Sequence, residues 1–392
     1  QVSHVEFYSR LPANDDRPIS EGLRATEPVN ARFLSVTVIP VSLNTILPAA
    51  IFGGSDTVAA GASAVAGFDQ AVCPSTPLFV CNPYEQPGMN YSQASLALAN
   101  AQSQPAIRRR LIRLRQYGDS DVPYAAGDYG FLDAPTIATG QTGTMDALAS
   151  ARPAACFVKN AVTFRQGALD NVREAFNTRF DMYQGSMSGR QNDVDFRPSL
   201  NVRKGYIGAG GGNSCSATPG DNWPIGSPPR QATGLPLDQQ SPFMNGHMGN
   251  GMWDFSTYWQ VNHGGDGRAP PIINGEVATN ENPPSRYDVY RYEIAHGYVT
   301  DRSPGAETGA PACYGGGSLS DRPDRRVLYA AIINCQSLAL RGGPEANVPV
   351  AAFGKFFLTL PLQASQTDLY VEAIGLVKPE DYADFEMVQL YR

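Results

Sequence analysis

Val327-Leu328-Tyr329-Ala330-Ala331-Ile332-Ile333-Asn334 is an unbroken apolar run closed by an asparagine. A continuous run of this length fits a strand buried on both faces. Three more strand-like stretches follow it, Phe353–Leu362, Leu369–Val377 and Phe385–Arg392, so the chain from Val327 onward reads as a four-stranded sheet core. Upstream, Arg286–His296 is also strand-like. Residues 185–285 are dense in Gly, Pro, Asn and Ser and hold Trp223, Trp253 and Trp259. A structureless loop of that length is improbable in a compact domain, so short elements are expected inside it. Before it, Ser92–Ala101, Thr144–Ala151 and Gln166–Phe176 read as helices, Ile112–Gln116 as a strand, and Gly127–Leu132 as a loop rich in glycine and aromatics.

At the other end, Val2–Tyr8 is strand-like, and Leu34, Val36 and Val38 alternate with Ser35 and Thr37, the period of a half-buried strand. Asp56–Gly67 reads as a strand returning alongside it. The expected class is a β-rich α+β fold. A small strand unit occupies residues 1–70. A larger, loop-rich domain with a mainly antiparallel sheet core occupies residues 71–392, carrying the Gly/Pro/Trp-rich insertion near 185–285.

Composition supports this class. Of 392 residues, 42% are apolar, enough for a core, while only 17% are charged against about 25% in an average domain. The 39 glycines and 31 prolines suit many turns between short strands. A net charge of −7 leaves no basic surplus to neutralise a phosphate backbone, so nucleic acid is not an expected partner. The one basic run, Arg108-Arg109-Arg110 with Arg113 and Arg115, reads as a solvated face or as partners for nearby acids.

The six cysteines, Cys73, Cys81, Cys156, Cys215, Cys313 and Cys335, contain no C-x-x-C pair, which removes zinc-ribbon and thioredoxin readings. An even, scattered set fits disulfides in an oxidising compartment. Only one pairing has local support: the prolines of Pro74-Ser75-Thr76-Pro77 favour a turn that would bring Cys73 to Cys81. The partners of Cys156, Cys215, Cys313 and Cys335 stay open. The first residue is Gln1, so the sequence is expected to start after processing or truncation. The most apolar segment, Phe33–Phe52, is interrupted by Pro40, Asn44 and Pro48, too broken for a membrane span, so an anchor would lie upstream of Gln1.

Motifs that would carry chemistry are incomplete in this sequence. Gly185-Ser186-Met187-Ser188-Gly189 has methionine where a serine nucleophile elbow needs serine. Gly205–Gly212 lacks the Lys and Ser/Thr of a phosphate-binding loop. His247 and His263 lie sixteen residues apart with Asp254 and Asp266 nearby, but spacing across so many glycines defines no common face. Asn245, Gly249, Asn250, Gly251 and Asp254 lack the acidic alternation of a calcium loop. No catalytic residue, metal or cofactor is assigned, and the chain is expected not to be an enzyme.

Several strings, in this order, resemble TadE/TadG-like proteins of the bacterial tight-adherence (Flp) pilus system. In the first unit they are Ala31-Arg32-Phe33 through Val38, Asn44–Leu47 and Ala59–Gly67. Next comes the cysteine segment, Cys73 with Pro77-Leu78-Phe79-Val80-Cys81-Asn82-Pro83. Gly127–Leu132, Asn177–Tyr183, Asn201–Tyr206 and Gly249–Asp254 with Val261-Asn262-His263 follow. Asp324–Tyr329 and Ala352–Thr359 complete the set. The resemblance spans nearly the whole chain and supplies no catalytic motif. It implies a noncatalytic envelope protein linked to pilus assembly and adherence, in the periplasm, outer membrane or cell surface of a Gram-negative bacterium. Its partners would be other pilus or envelope proteins, with self-association possible and membrane contact only through an anchor. The alternatives are a self-assembling filament or surface-layer subunit, and a polysaccharide-binding protein or hydrolase.

Overall fold

The computed structural model describes residues 2–12, 17–26, 31–44, 57–117, 122–134, 136–138, 140–152, 155–158, 161–165, 169, 171–203, 235–239, 247–264, 267–300, 308–311, 313–317, 319, 323–343, 345–362, 367–378 and 385–390. The chain divides into two compact units, residues 1–72 with 384–392, and residues 73–383. The strands that define them are β1 (Val2–Tyr8), β2 (Phe33–Val38), β3 (Ser63–Ser75), β4 (Leu78–Cys81), β5 (Leu111–Gln116), β6 (Asp128–Asp133), β7 (Ala161–Phe164), β8 (Val327–Ile333), β9 (Ala352–Leu358), β10 (Leu369–Leu376) and β11 (Phe385–Leu390). The helices are α1 (Tyr91–Ser103), α2 (Pro105–Arg108), α3 (Gly140–Ala149), α4 (Val172–Asn177), α5 (Phe255–His263) and α6 (Arg286–Ala295). The architecture is β-rich α+β.

In the larger unit, β8 is buried along its length except at Tyr329, as its unbroken apolar sequence requires. It pairs in parallel with β4, Ile332 opposite Val80, and antiparallel with β9, Ala330 opposite Gly354. β9 continues to β10, β10 to β5, β5 in parallel to β6, and β6 back to β4. The sheet thus closes into a six-stranded ring, β6-β4-β8-β9-β10-β5, with β7 attached at the end of β6. Closure gives every ring strand a neighbour on both sides, over two or three residues where β5 meets β6 and β4 meets β8. Alternate residues serve different layers. Phe356 and Leu358 of β9 join Leu78, Val80, Ile112, Leu114, Leu328 and Ile332 in one cluster, while Phe357 between them packs with Trp253, Tyr258, Val289 and Tyr290.

Three stretches differ from the sequence reading. Gly127–Leu132 holds most of strand β6 rather than a loop. Its glycine has a steric purpose: a Cβ on Gly130 would lie 2.6 Å from the Phe79 ring, which stacks on Phe164 at 3.9 Å between centroids. Arg286–His296 is helix α6, not a strand. Its tyrosines, valine and isoleucine have strand composition, but Arg286, Val289, Tyr290 and Glu293 are buried with helical spacing, and the Ser285 hydroxyl accepts from the Asp288 amide as an N-cap. Phe385–Leu390 does not extend the C-terminal sheet. It is β11, paired antiparallel with β3 from Phe385 opposite Ala71 to Leu390 opposite Ala66, and belongs to the smaller unit.

The cysteine pairing also needs correction. Cys73 and Cys81 are both oxidised, but not with each other: Cys73 bonds Cys156, and Cys81 bonds Cys335. The proline turn does carry β3 into β4, yet these strands are not neighbours in a sheet. β4 lies between β8 and β6, so Cys81 at its end faces Cys335 just beyond its parallel neighbour β8, with Cα atoms 5.3 Å apart. Cys313 is disulfide-bonded as well, and Cys215 lies outside the described residues. These bonds fit an oxidising, extracytoplasmic setting. Among the described residues, no helix is long and apolar enough to cross a membrane.

The smaller unit is an antiparallel sheet in the order β1-β2-β3-β11. The register puts Val5 beside Val36 and Ala64, and Phe7 beside Leu34 and Ala66, on one face. Tyr8 and Val65, on the other face, are buried. Val5 and Phe7 are exposed by 45% and 54%, and β1 is an edge strand. A hairpin of Val41–Asn44 with Thr57–Ala60 completes the described part; Thr45–Leu47 of the family resemblance lie outside it.

Candidate functional site

A cleft of about 560 Å3 in the larger unit forms where α2, the start of α6, β10 and a small hairpin converge. The hairpin pairs Ile272-Ile273 with Glu276-Val277 across Asn274 and Gly275, whose φ angles are 55° and 85°. Asn-Gly with both residues left-handed is the turn that matches strand twist, and the dipeptide after Ile272-Ile273 is the sequence signal of this hairpin. Arg109 ties this region together. Its guanidinium donates to Asn282 Oδ1 and the Pro283 carbonyl, both at 2.9 Å, while Arg108 donates to the Ile374 carbonyl at 3.2 Å. The cleft's exposed acids are engaged: Glu276 accepts from Asn282, and Asp288 accepts from Asn274 at 3.0 Å.

Beneath the cleft lies a buried ionic triad. Arg286, the first residue of α6, donates to Asp238 Oδ1 at 2.7 Å and Glu372 Oε1 at 2.8 Å, and none of the three side chains is exposed. Its Nε donates to the Pro236 carbonyl, and its guanidinium lies 5.0 Å from the Trp253 ring centre. Asp238 also accepts from the amides of Gly251 (2.6 Å) and Leu111 (3.2 Å). Gly249 must be glycine here, because a Cβ would fall 2.1 Å from Asp238 Oδ2. Glu372 accepts from the Arg286 guanidinium and the Tyr287 amide. One guanidinium carries one positive charge against two buried carboxyl groups. Burial pushes Glu372 up to about 7, with Arg286 opposing the shift. Between the ordinary glutamate range and pH ~7 the folded chain keeps a proton that the unfolded chain has lost. This group's contribution to stability is therefore full below pH ~4.5 and is lost as pH rises through ~7. Melting temperatures measured from pH 4.5 to 7.5 should fall relative to those of Glu372→Gln, which cannot ionise; parallel curves would refute the assignment.

A second buried network surrounds Glu293 of α6. Tyr258 donates to Oε1 at 2.5 Å, Asn201 to Oε2 at 2.6 Å, and His263 Nε2 lies 2.9 Å from Oε1. Tyr, His and Glu are catalytic residue types, but His263 and Glu293 are 1% exposed, so no substrate reaches them in this conformation. The network instead joins α5 to α6. The histidine pair considered from sequence is not one site. His263 serves Glu293, whereas His247 Nε2 lies 3.0 Å from the Pro83 carbonyl. Asp254 caps α5 by accepting from the Thr257 amide, Asn250 accepts from the Met252 amide, and Asp266 and Asn245 lie outside the described residues. Among the described residues no group of three His, Cys, Asp or Glu side chains could hold a metal.

Two arginines from strings that carry the family resemblance are sealed inside the larger unit. Arg325 donates to the carbonyls of Arg197, Ser150 and Ala149, and Arg179 donates to those of Arg325 and Leu148. Burial pushes Arg179 down to about 9. Their forks supply hydrogen-bond donors to these carbonyls. No family model matches the chain, and no curated protein or solved structure is significantly similar to it.

Proposed function

We propose that this chain is a noncatalytic structural protein of a Gram-negative cell envelope that serves tight-adherence (Flp) pilus assembly and surface adherence by contacting other pilus or envelope proteins. The supporting observation is where the TadG-like strings fall. Pro77–Pro83 contains β4 and the Cys81 end of a disulfide, Gly127–Leu132 contains most of β6, Asp324–Tyr329 leads into β8, and Ala352–Thr359 contains β9. The shared strings thus build a closed, cross-linked scaffold rather than a reactive centre. The test is disruption of the coding sequence in its source bacterium, followed by electron microscopy of surface pili and an adherence assay. Pili and adherence should be lost and return on complementation; normal pili without the chain would reject the reading.

A second reading, a self-assembling surface subunit, draws on the edge strand β1 with its exposed Val5 and Phe7. Light scattering of the purified chain should then show association that Phe7→Lys reduces. A monomer at every concentration would count against it.

A further inference from the structure

A smaller cavity, about 270 Å3, opens between the segment after β4, helix α1, the start of β5 and His247-Met248. Its apolar walls are Pro83, Ala97, Ala101, Ile107 and Met248; its polar lining is Tyr84 and Arg110 with Gln86, Asn100, Gln104 and His247. The sequence presented Arg110 as part of a solvated or acid-paired run. Its neighbours in that run reach acceptors through their terminal nitrogens or at ion-pair range: Arg108 and Arg109 on carbonyls, Arg113 on Asp368 at 3.8 Å and Arg115 on Asp128 at 3.4 Å. The buried Nε atoms of Arg108, Arg109, Arg110 and Arg113 all lack an acceptor; of these four arginines Arg110 is the one that lines this cavity, and among the described residues its guanidinium meets no carboxylate. The Tyr84 hydroxyl, also buried, has no hydrogen-bond partner either. Arg110 and Arg108 are the charges that act on that hydroxyl, and burial raises its pKa. No Asp or Glu lines the cavity, although the chain carries net charge −7.

A buried donor without an acceptor costs about 1–3 kcal/mol, so two around one cavity call for a missing acceptor. We propose that this cavity binds a carboxylate attached to a short apolar group, with Arg110 and Tyr84 donating to the carboxylate oxygens and the apolar walls covering the chain. A planar carboxylate matches the guanidinium fork, and the Tyr84 O–H supplies a further neutral donor. The carboxylate comes either from a free organic acid or from the C-terminus of a polypeptide ending in a small apolar residue. The assignment does not depend on a pilus role.

The test is calorimetric titration of the full, disulfide-bonded chain with isovalerate, with N-acetyl-Ala-Ala-Val, with the amide of that peptide, and with inorganic phosphate. Binding of isovalerate alone supports a free acid as the source, and binding of the peptide acid supports a chain terminus. In either case the amide must bind at least about tenfold more weakly, because it removes the charge-assisted bonds. Arg110→Gln should weaken binding about tenfold or more, and Tyr84→Phe several-fold, since each removes one donor to a charged acceptor. Tyr84→Phe also removes an unsatisfied hydroxyl, so the free chain should melt no lower than the parent. This guards against reading misfolding as lost affinity. Absence of binding by both acids at millimolar concentration, equal binding of acid and amide, or a preference for phosphate would each overturn the proposal. So would unchanged affinity in Tyr84→Phe and Arg110→Gln chains that melt normally.

Discussion

Replacing Arg286 by methionine is expected to destabilise the larger unit by about 3–5 kcal/mol, the range for breaking a buried ion pair from one side. The reason is the company Arg286 keeps. Its guanidinium donates to Asp238 and Glu372 where none of the three is exposed. Methionine fills much of the volume but leaves two carboxyl groups facing each other without a cation. Glu372 retreats by holding its proton. Asp238 keeps the amides of Gly251 and Leu111 but loses its cation. Chemical denaturation of Arg286→Met should therefore show a lowered midpoint. Adding Asp238→Asn and Glu372→Gln should recover most of the loss, since removing the whole set avoids stranding a charge. If the single and triple variants were equally damaged, lost packing against Trp253 rather than electrostatics would be the cause.

Cys81→Ser with Cys335→Ser should lower stability by about 2–5 kcal/mol, the usual range for a native disulfide. These cysteines are 254 residues apart, so the bond closes most of the larger unit into one loop. In the chain-entropy account, a loop this long places the effect near the upper end of that range. The bond also sits where β4 and β8 pair in parallel, a contact that joins distant parts of the chain and gains nothing from a local turn. Cys73→Ser with Cys156→Ser closes a shorter loop, 83 residues, and should cost slightly less. Denaturant titrations under non-reducing conditions would rank the pairs. Equal stability of the Cys81/Cys335 double variant and the parent would show that this bond adds nothing to ring closure.

Local patterns in the sequence determined much of the strand content. Val327–Ile333 had to be a strand buried on both faces because its apolar residues have no polar alternation, and β2 declared its two faces through Leu34, Val36 and Val38. Composition likewise pointed to a turn-rich α+β chain. What the sequence left open were questions of partnership. An isolated strand pattern names no neighbour, so the last strand, β11, could not be assigned to β3 in the smaller unit, nor the ring seen to close between β5 and β6. The same limit governed Cys73 and Cys81, eight residues apart, whose true partners lie 83 and 254 residues away. Strand-like tyrosines disguised α6 until its buried face, Arg286 with Val289, Tyr290 and Glu293, met the core. The triad and the Tyr84–Arg110 cavity are the furthest from sequence. Asp238, Arg286 and Glu372 come from three separate segments, and only tertiary packing removes water from them. An ordinary arginine or glutamate becomes exceptional when burial takes away its solvation, and burial is a property of the whole fold.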